Sequence, residues 1–257
     1  MRKGAEAFTA DMTDVTALTK AFGGARAAYV MLPPITSRED QERESDAIAK
    51  AVKASGLLHA LYLSSYGAHV PEGTEPVTGL HSAEEKLNAI SDLNVLHLRA
   101  AYFMENNLTA IDMIHGMGLF GHALLPELKL PMIATQDVGD YAAQRLLNVD
   151  FSGKQTRELL GERDLSMKEV TAAIGRGIGK PDLRYEQFPY DQVQQVLVQM
   201  GMSPKKAAVY IEMFQAINVG VLAAQEPRSP ENTTPTSFET FVQDVFAPAY
   251  HGKALTA

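Results

Sequence analysis

Along the first half of the chain, short apolar runs alternate with amphipathic stretches, a rhythm that predicts strand–helix units feeding a parallel sheet. Residues 27–32 (AAYVML) and 60–64 (ALYLS) are apolar at every position or nearly so, as expected of strands covered by helices on both faces. Residues 5–10 and 95–98 complete the candidate strands. Two helices between them carry local start and stop signals. Thr13 followed by Asp14 predicts a helix through Phe22 that ends at Gly23 and Gly24. Ser37, with Asp40 three residues on, predicts a second helix through Ser55 that ends at Gly56, so the charged run 38–46 is a solvated helix face.

Beyond residue 150 helices dominate. The spacing predicts helices over 167–174 and 192–200, a longer one opened by Ser203 and Pro204, a weak strand over 183–188 and a last short helix over 238–246. The Pro- and Ser/Thr-rich segment 225–237 is a loop. Val193, Val196, Leu197 and Met200 form one apolar stripe, and Tyr210, Met213, Phe214, Ile217 and Val221 another; both are taken as core packing. Gly175, Gly177 and Gly179 follow a helix and precede a strand, the reverse of a phosphate-binding order, which predicts a helix stop and turn.

Composition narrows the function. With 257 residues, 46% hydrophobic and 21% charged, the chain can bury one large α/β core without disulfides or metal. A net charge of −8 without a basic cluster argues against nucleic acid as a partner, and no run of about 18 apolar residues offers a membrane span. The absence of cysteine excludes thiol catalysis and thiolate zinc sites. After Arg2 and Lys3 the N-terminal residues return at once to polarity, which points to the cytosol. His115 and His122 have no metal-ligand spacing, and Ser65 lacks the leading glycine of a hydrolase elbow.

The remaining chemistry lies where strands end, because parallel α/β folds bind ligands at the carboxyl edge of the sheet. Asp11 and Met12, then Pro33 and Pro34, then Ser64, Ser65 and Tyr66 leave that edge. A carboxylate there can accept from an adenine amine, prolines can stiffen a loop against a flat ring, and hydroxyls can bond a ribose or substrate oxygen. The same residues are also ordinary capping and loop chemistry.

The string GAEAFTADMTDVTALTKAFGGARAAYVMLPP, followed by YLSSYGA, HSAEEKLNAISDLNVLHLRAAYFMENN, TQDVGDYAAQRLLN and TSFETFVQDVFAPAY, resembles the NmrA-like proteins, atypical short-chain dehydrogenase/reductases, over essentially the whole chain. The resemblance implies a Rossmann-like doubly wound parallel sheet with a smaller C-terminal α+β substrate lobe. That makes one NmrA-like domain over 1–257, with the core in 1–108 and mainly the lobe in 109–257, some segments returning to the core. It implies NADP or NAD along Asp11, Met12, Leu32, Pro33, Pro34, Ser64, Ser65 and Tyr66, with Ala101, Tyr102 and Phe103 near the nicotinamide and Lys86 pointing into the same cleft. Lys86 and Tyr102 are the candidate catalytic residues for reducing a quinone- or enone-like molecule; a regulator that senses dinucleotide or binds a protein without turnover is the alternative.

Two departures qualify that picture. The family opens with a strand and a Gly-rich phosphate loop, whereas this sequence starts at what matches the third strand, so weak or absent dinucleotide affinity is expected. The tyrosine of the usual Tyr-x-x-x-Lys pair falls on Ser82, too weak an acid for the same proton relay. With the intervening strands absent, residues 5–10 are expected to move inward and pair with residues 27–32; a homodimer through that edge is the alternative.

Overall fold

The computed structural model describes residues 4–33 and 37–252. Its central sheet consists of β1 (Ala28–Val30), β2 (His59–Ser65), β3 (Asn94–Ala100) and β7 (Lys154–Leu159), all parallel and in that spatial order. Alternation along the strands sorts their side chains onto two cores. Ala60, Tyr62 and Val95 face one way, packing with Leu18 of α1 (Val15–Phe22), Ile48 and Val52 of α2 (Arg38–Ser55), and Leu87 of α3 (Val77–Asn88). Leu61, Leu96 and Leu98 face the other, against Val138 and Ala142 of α5 (Thr135–Asn148). Helices cover both faces, so the apolar run at β2 has the double burial that its sequence predicts, whereas the run at β1 does not: Tyr29 and the adjoining Met31 are exposed.

The remaining elements build the C-terminal α+β part. The strands β4 (Tyr102–Phe103), β6 (Leu130–Ile133) and β8 (Asp164–Leu165) form one small mixed sheet, and β5 (Leu119–His122) pairs in parallel with β9 (Arg184–Gln187). Around them pack α4 (Ile111–Met117), α6 (Met167–Gly177), α7 (Tyr190–Gln199) and α8 (Pro204–Asn218). The chain then runs through α9 (Phe238–Phe241) and a π-helical turn (Val242–Phe246) into α10 (Ala247–Tyr250). Here Phe120, Ile174, Phe214, Phe238, Phe241 and Phe246 share one core. The fold class is thus an α/β Rossmann-like parallel sheet with C-terminal α+β elements.

Several local readings change. Residues 5–10 form no strand and make no backbone pairing with residues 27–32; they are largely exposed, and among the described residues β1 has only β2 beside it. The segment is too poor in strand-forming residues to hold an edge, and β1 itself spans only three residues, short enough to stand at one. Asp14, not Thr13, caps α1, accepting from the Ala17 N–H, because the Thr13 hydroxyl donates back to Asp11. Ser37 caps α2, and Gly56 ends it, as the sequence predicts. Gly175 and Gly177 lie inside α6 rather than after it. A Cβ at Gly175 would fall 2.5 Å from the Lys180 carbonyl oxygen and one at Gly177 2.3 Å from Val242 Cγ1, so these glycines permit close packing. The fourth member of the sheet, β7, has no candidate strand in the sequence pattern: KQTREL is mostly polar, because it forms the other edge and its first residues are exposed.

Candidate functional site

A half-open cavity of about 840 Å³ lies in the C-terminal part of the molecule. Its floor includes Tyr102, Phe120, Phe188 and Phe214, all buried. Tyr102 stands two residues past the end of β3, so the floor begins at the carboxyl edge of the main sheet. One wall is α7, none of whose side chains is fully buried; Val193, Val196, Leu197 and the adjacent Met200 turn to the cavity. Tyr210, Met213 and Phe214 of α8 form the facing wall. The stripes taken from the sequence as core packing are therefore in large part cavity lining. Periodicity marks a face that avoids water but does not tell a packed face from a hollow one.

Few polar groups converge on this apolar space. Burial pushes the Tyr102 phenol well above its ordinary pKa, so it is a neutral hydroxyl, able to donate or accept but not to serve as an anionic base. His122 lies edge-on to Phe214, ring centroids 4.7 Å apart, and burial lowers its pKa to about 4. The Leu124 N–H donates to its Nδ1 at 3.2 Å, which leaves the proton of the neutral ring on Nε2. Asn106 and Thr109 stand exposed at the rim.

The other sequence candidates are placed elsewhere. Lys86 donates to Glu42 Oε2 at 2.6 Å, to Ser45 Oγ at 2.8 Å and to the Glu42 carbonyl at 3.0 Å, with Asp46 at 2.8 Å, and does not line the cavity. Ser82 also donates to Glu42 Oε2. The Lys86 ammonium is drawn to carboxylates on the neighbouring helix. Its own helix turns Ala83 and Leu87 into the core, and Ile90, just past the helix end, packs against it. Ser64 donates to Glu84 Oε1 at 2.6 Å, and Glu84 holds Arg99 through two hydrogen bonds of 3.0 and 2.6 Å. Ser65 is half-buried, and the Tyr66 hydroxyl is buried without a partner among the described residues.

Near the chain start, Asp11 is exposed, accepting from the Thr13 N–H and hydroxyl, which hold its carboxyl below the usual range. Met12 and Leu32 pack on the first helical core, and Pro33 is half-buried. Pro34 lies outside the described residues. Ala101 is buried and Phe103 half-buried against the α5 side of the sheet. Sequence inspection missed Glu84, Arg99 and His122 as members of polar networks, since only the pairing of β2, β3 and α3 brings the first two together.

The chain belongs to the NmrA-like family, which matches residues 1–242. A relative from Streptomyces griseus subsp. griseus, (4-alkanoyl-5-oxo-2,5-dihydrofuran-3-yl)methyl phosphate reductase, is 23% identical over 230 residues, which cover 90% of this chain and 78% of the relative. Among solved structures, the Escherichia coli NADPH-dependent quinone oxidoreductase in complex with NADPH superposes with a TM-score of 0.79 at 20% identity, covering 95% of this chain and 84% of that one. The Citrobacter sp. triphenylmethane reductase in complex with NADP(H) gives 0.76 at 16% identity, covering 93% and 84%.

A nicotinamide dinucleotide needs N–H donors or free cations for its diphosphate. The described residues do not fit that need. The helix leaving β1 opens with Glu39 and Asp40, whose charges oppose an anion, and the Asp40 N–H is taken by Ser37. The nearby cations are engaged as well: Arg38 with Glu75 and Glu42, Lys86 with Glu42 and Asp46, Arg99 with Glu84. The apolar side chains of Met12 and Leu32 could flank a ring, but no described group cradles the phosphates.

Proposed function

We propose that this chain is an NAD(P)H-dependent oxidoreductase of the NmrA-like type that takes a small quinone- or enone-like molecule in the cavity between α7 and α8, with weak affinity of its own for the dinucleotide. The cavity carries this reading. Its volume of about 840 Å³ suits a ring-bearing organic molecule, its walls are aromatic and aliphatic, and its polar groups are few. The dinucleotide would supply the hydride; the chain's own residues bind and orient. Phe120, Phe188 and Phe214 exclude water from one side of a flat ring, and the neutral Tyr102 hydroxyl can donate to a carbonyl oxygen. The similarity to an NADPH-dependent quinone oxidoreductase and to (4-alkanoyl-5-oxo-2,5-dihydrofuran-3-yl)methyl phosphate reductase supports the substrate class.

The acidic first turn of α2 and the paired cations favour a second reading, a protein that binds the organic molecule without turnover. Incubation with NADPH and a series of quinones, following loss of the reduced nicotinamide absorbance, separates the two. Slow consumption that disappears in Val196→Trp, which fills the cavity, supports the oxidoreductase. Quinone binding without consumption supports the binder, and no quinone binding at all defeats both.

A further inference from the structure

The cavity is apolar on its floor and walls but carries a single cation at its rim. Among the described residues that line it, Lys206 is the one formally charged side chain and none is a carboxylate, although the chain has 31 acidic residues and a net charge of −8. The two consecutive lysines of α8 behave differently. Lys205 lies 3.7 Å from Glu39, whereas the Lys206 ammonium has no hydrogen-bonding or ion-pair partner among the described residues. Lys206 also sits in the first turn of a 15-residue helix, whose dipole adds positive potential at the same place. That turn has few N–H groups to offer, since Pro204 has none and the Lys206 N–H donates to Ser203 Oγ at 3.3 Å, so the ammonium is the available donor.

We infer that the ligand of this cavity is an anionic amphiphile: an apolar ring or acyl body lying on Phe120, Phe188 and Met213, and one carboxylate or phosphate head held at the rim by Lys206. The inference rests on the cavity being the ligand site, as in the proposed function. A neutral quinone would leave the lysine unused, and a cation would be repelled by it. The enclosed body supplies the apolar burial, and the head stays half-wet at the mouth, where Met200, Gly201 and Ser203 are exposed.

The test uses matched fluorescent probes on the full chain: anilinonaphthalene sulfonate, which is anionic, and N-phenylnaphthylamine, which has the same rings without the charge. The sulfonate is expected to bind about tenfold more tightly, and Lys206→Glu should remove that advantage while leaving the neutral probe unchanged, the scale of one charge-assisted hydrogen bond at a partly wet site. Displacement by decanoate or decyl phosphate but not by decanol supports the anionic head, and whichever acts at the lower concentration identifies it. Equal binding of the two probes, or displacement by decanol as effective as by either anion, overturns the inference. Val196→Trp, checked for unchanged thermal unfolding, should abolish both probes. If both still bind, the cavity itself is not the site and the proposed function fails with it; if only the charge preference is missing, the inference alone fails.

Discussion

His97 sits on β3 with 1% of its surface exposed, its Nε2 2.8 Å from Asn88 Oδ1 and its Nδ1 buried without a partner. Burial lowers its pKa from 6.5 to about 4. Between those values the unfolded chain holds a proton that the folded chain does not, so the stability from a neutral His97 is complete above pH 6.5 and is lost as pH falls toward 4. Urea titrations should show stability falling over that window, with up to about 3 kcal/mol due to this residue. His97→Gln should flatten the slope there; a variant with the wild-type slope would assign the pH dependence to other groups. Glu84 is a second residue of this kind. Glu84→Ala leaves Arg99 buried without its two bonds and strips the acceptor from Ser64, so a loss of about 3 kcal/mol is expected in chemical unfolding.

At the scale of elements, Lys86 links α3 to α2, and its side chain is 21% exposed. Lys86→Ala should cost about 1 kcal/mol and leave probe binding in the cavity unchanged. A large change in affinity with unaltered stability would instead return Lys86 to the ligand site. Gly161 fixes how β7 leads into β8: its φ is +72°, and a Cβ would stand 1.7 Å from the Met132 carbonyl oxygen, so Gly161→Ala should lower stability by roughly 3 kcal/mol in thermal unfolding. Helix ends such as Ser37, Gly56 and Ser203 were legible in the sequence because capping is settled within three or four residues. The buried strands were legible because apolar runs record double burial. The polar edge β7, the Glu84–Arg99 pair and the hollow between α7 and α8 were not, since each depends on partners far along the chain.

For the whole molecule, the question is whether the sheet and the cavity work as one site. The groups expected to contact a dinucleotide lie ahead of α1 (Asp11, Met12) and at the ends of β1, β2 and β3, whereas the cavity rests on a separate core built from β4, β5, β6, β8 and β9 with the helices packed on them. Among the described residues, Tyr102, just past β3, is the one of these expected contacts that also lines the cavity. A diphosphate that meets acidic first-turn side chains and, among the described residues, no free N–H cradle keeps little of its binding energy. Isothermal calorimetry of the full chain with NADPH should therefore give a dissociation constant weaker than micromolar. The cavity's affinity for N-phenylnaphthylamine should change less than about twofold when NADPH is added, because each coupling factor of ten would require about 1.4 kcal/mol of differential contact that one shared side chain does not supply. Micromolar or tighter NADPH binding, or a tenfold change in probe affinity, would show that the sheet edge and the cavity form a single coupled site.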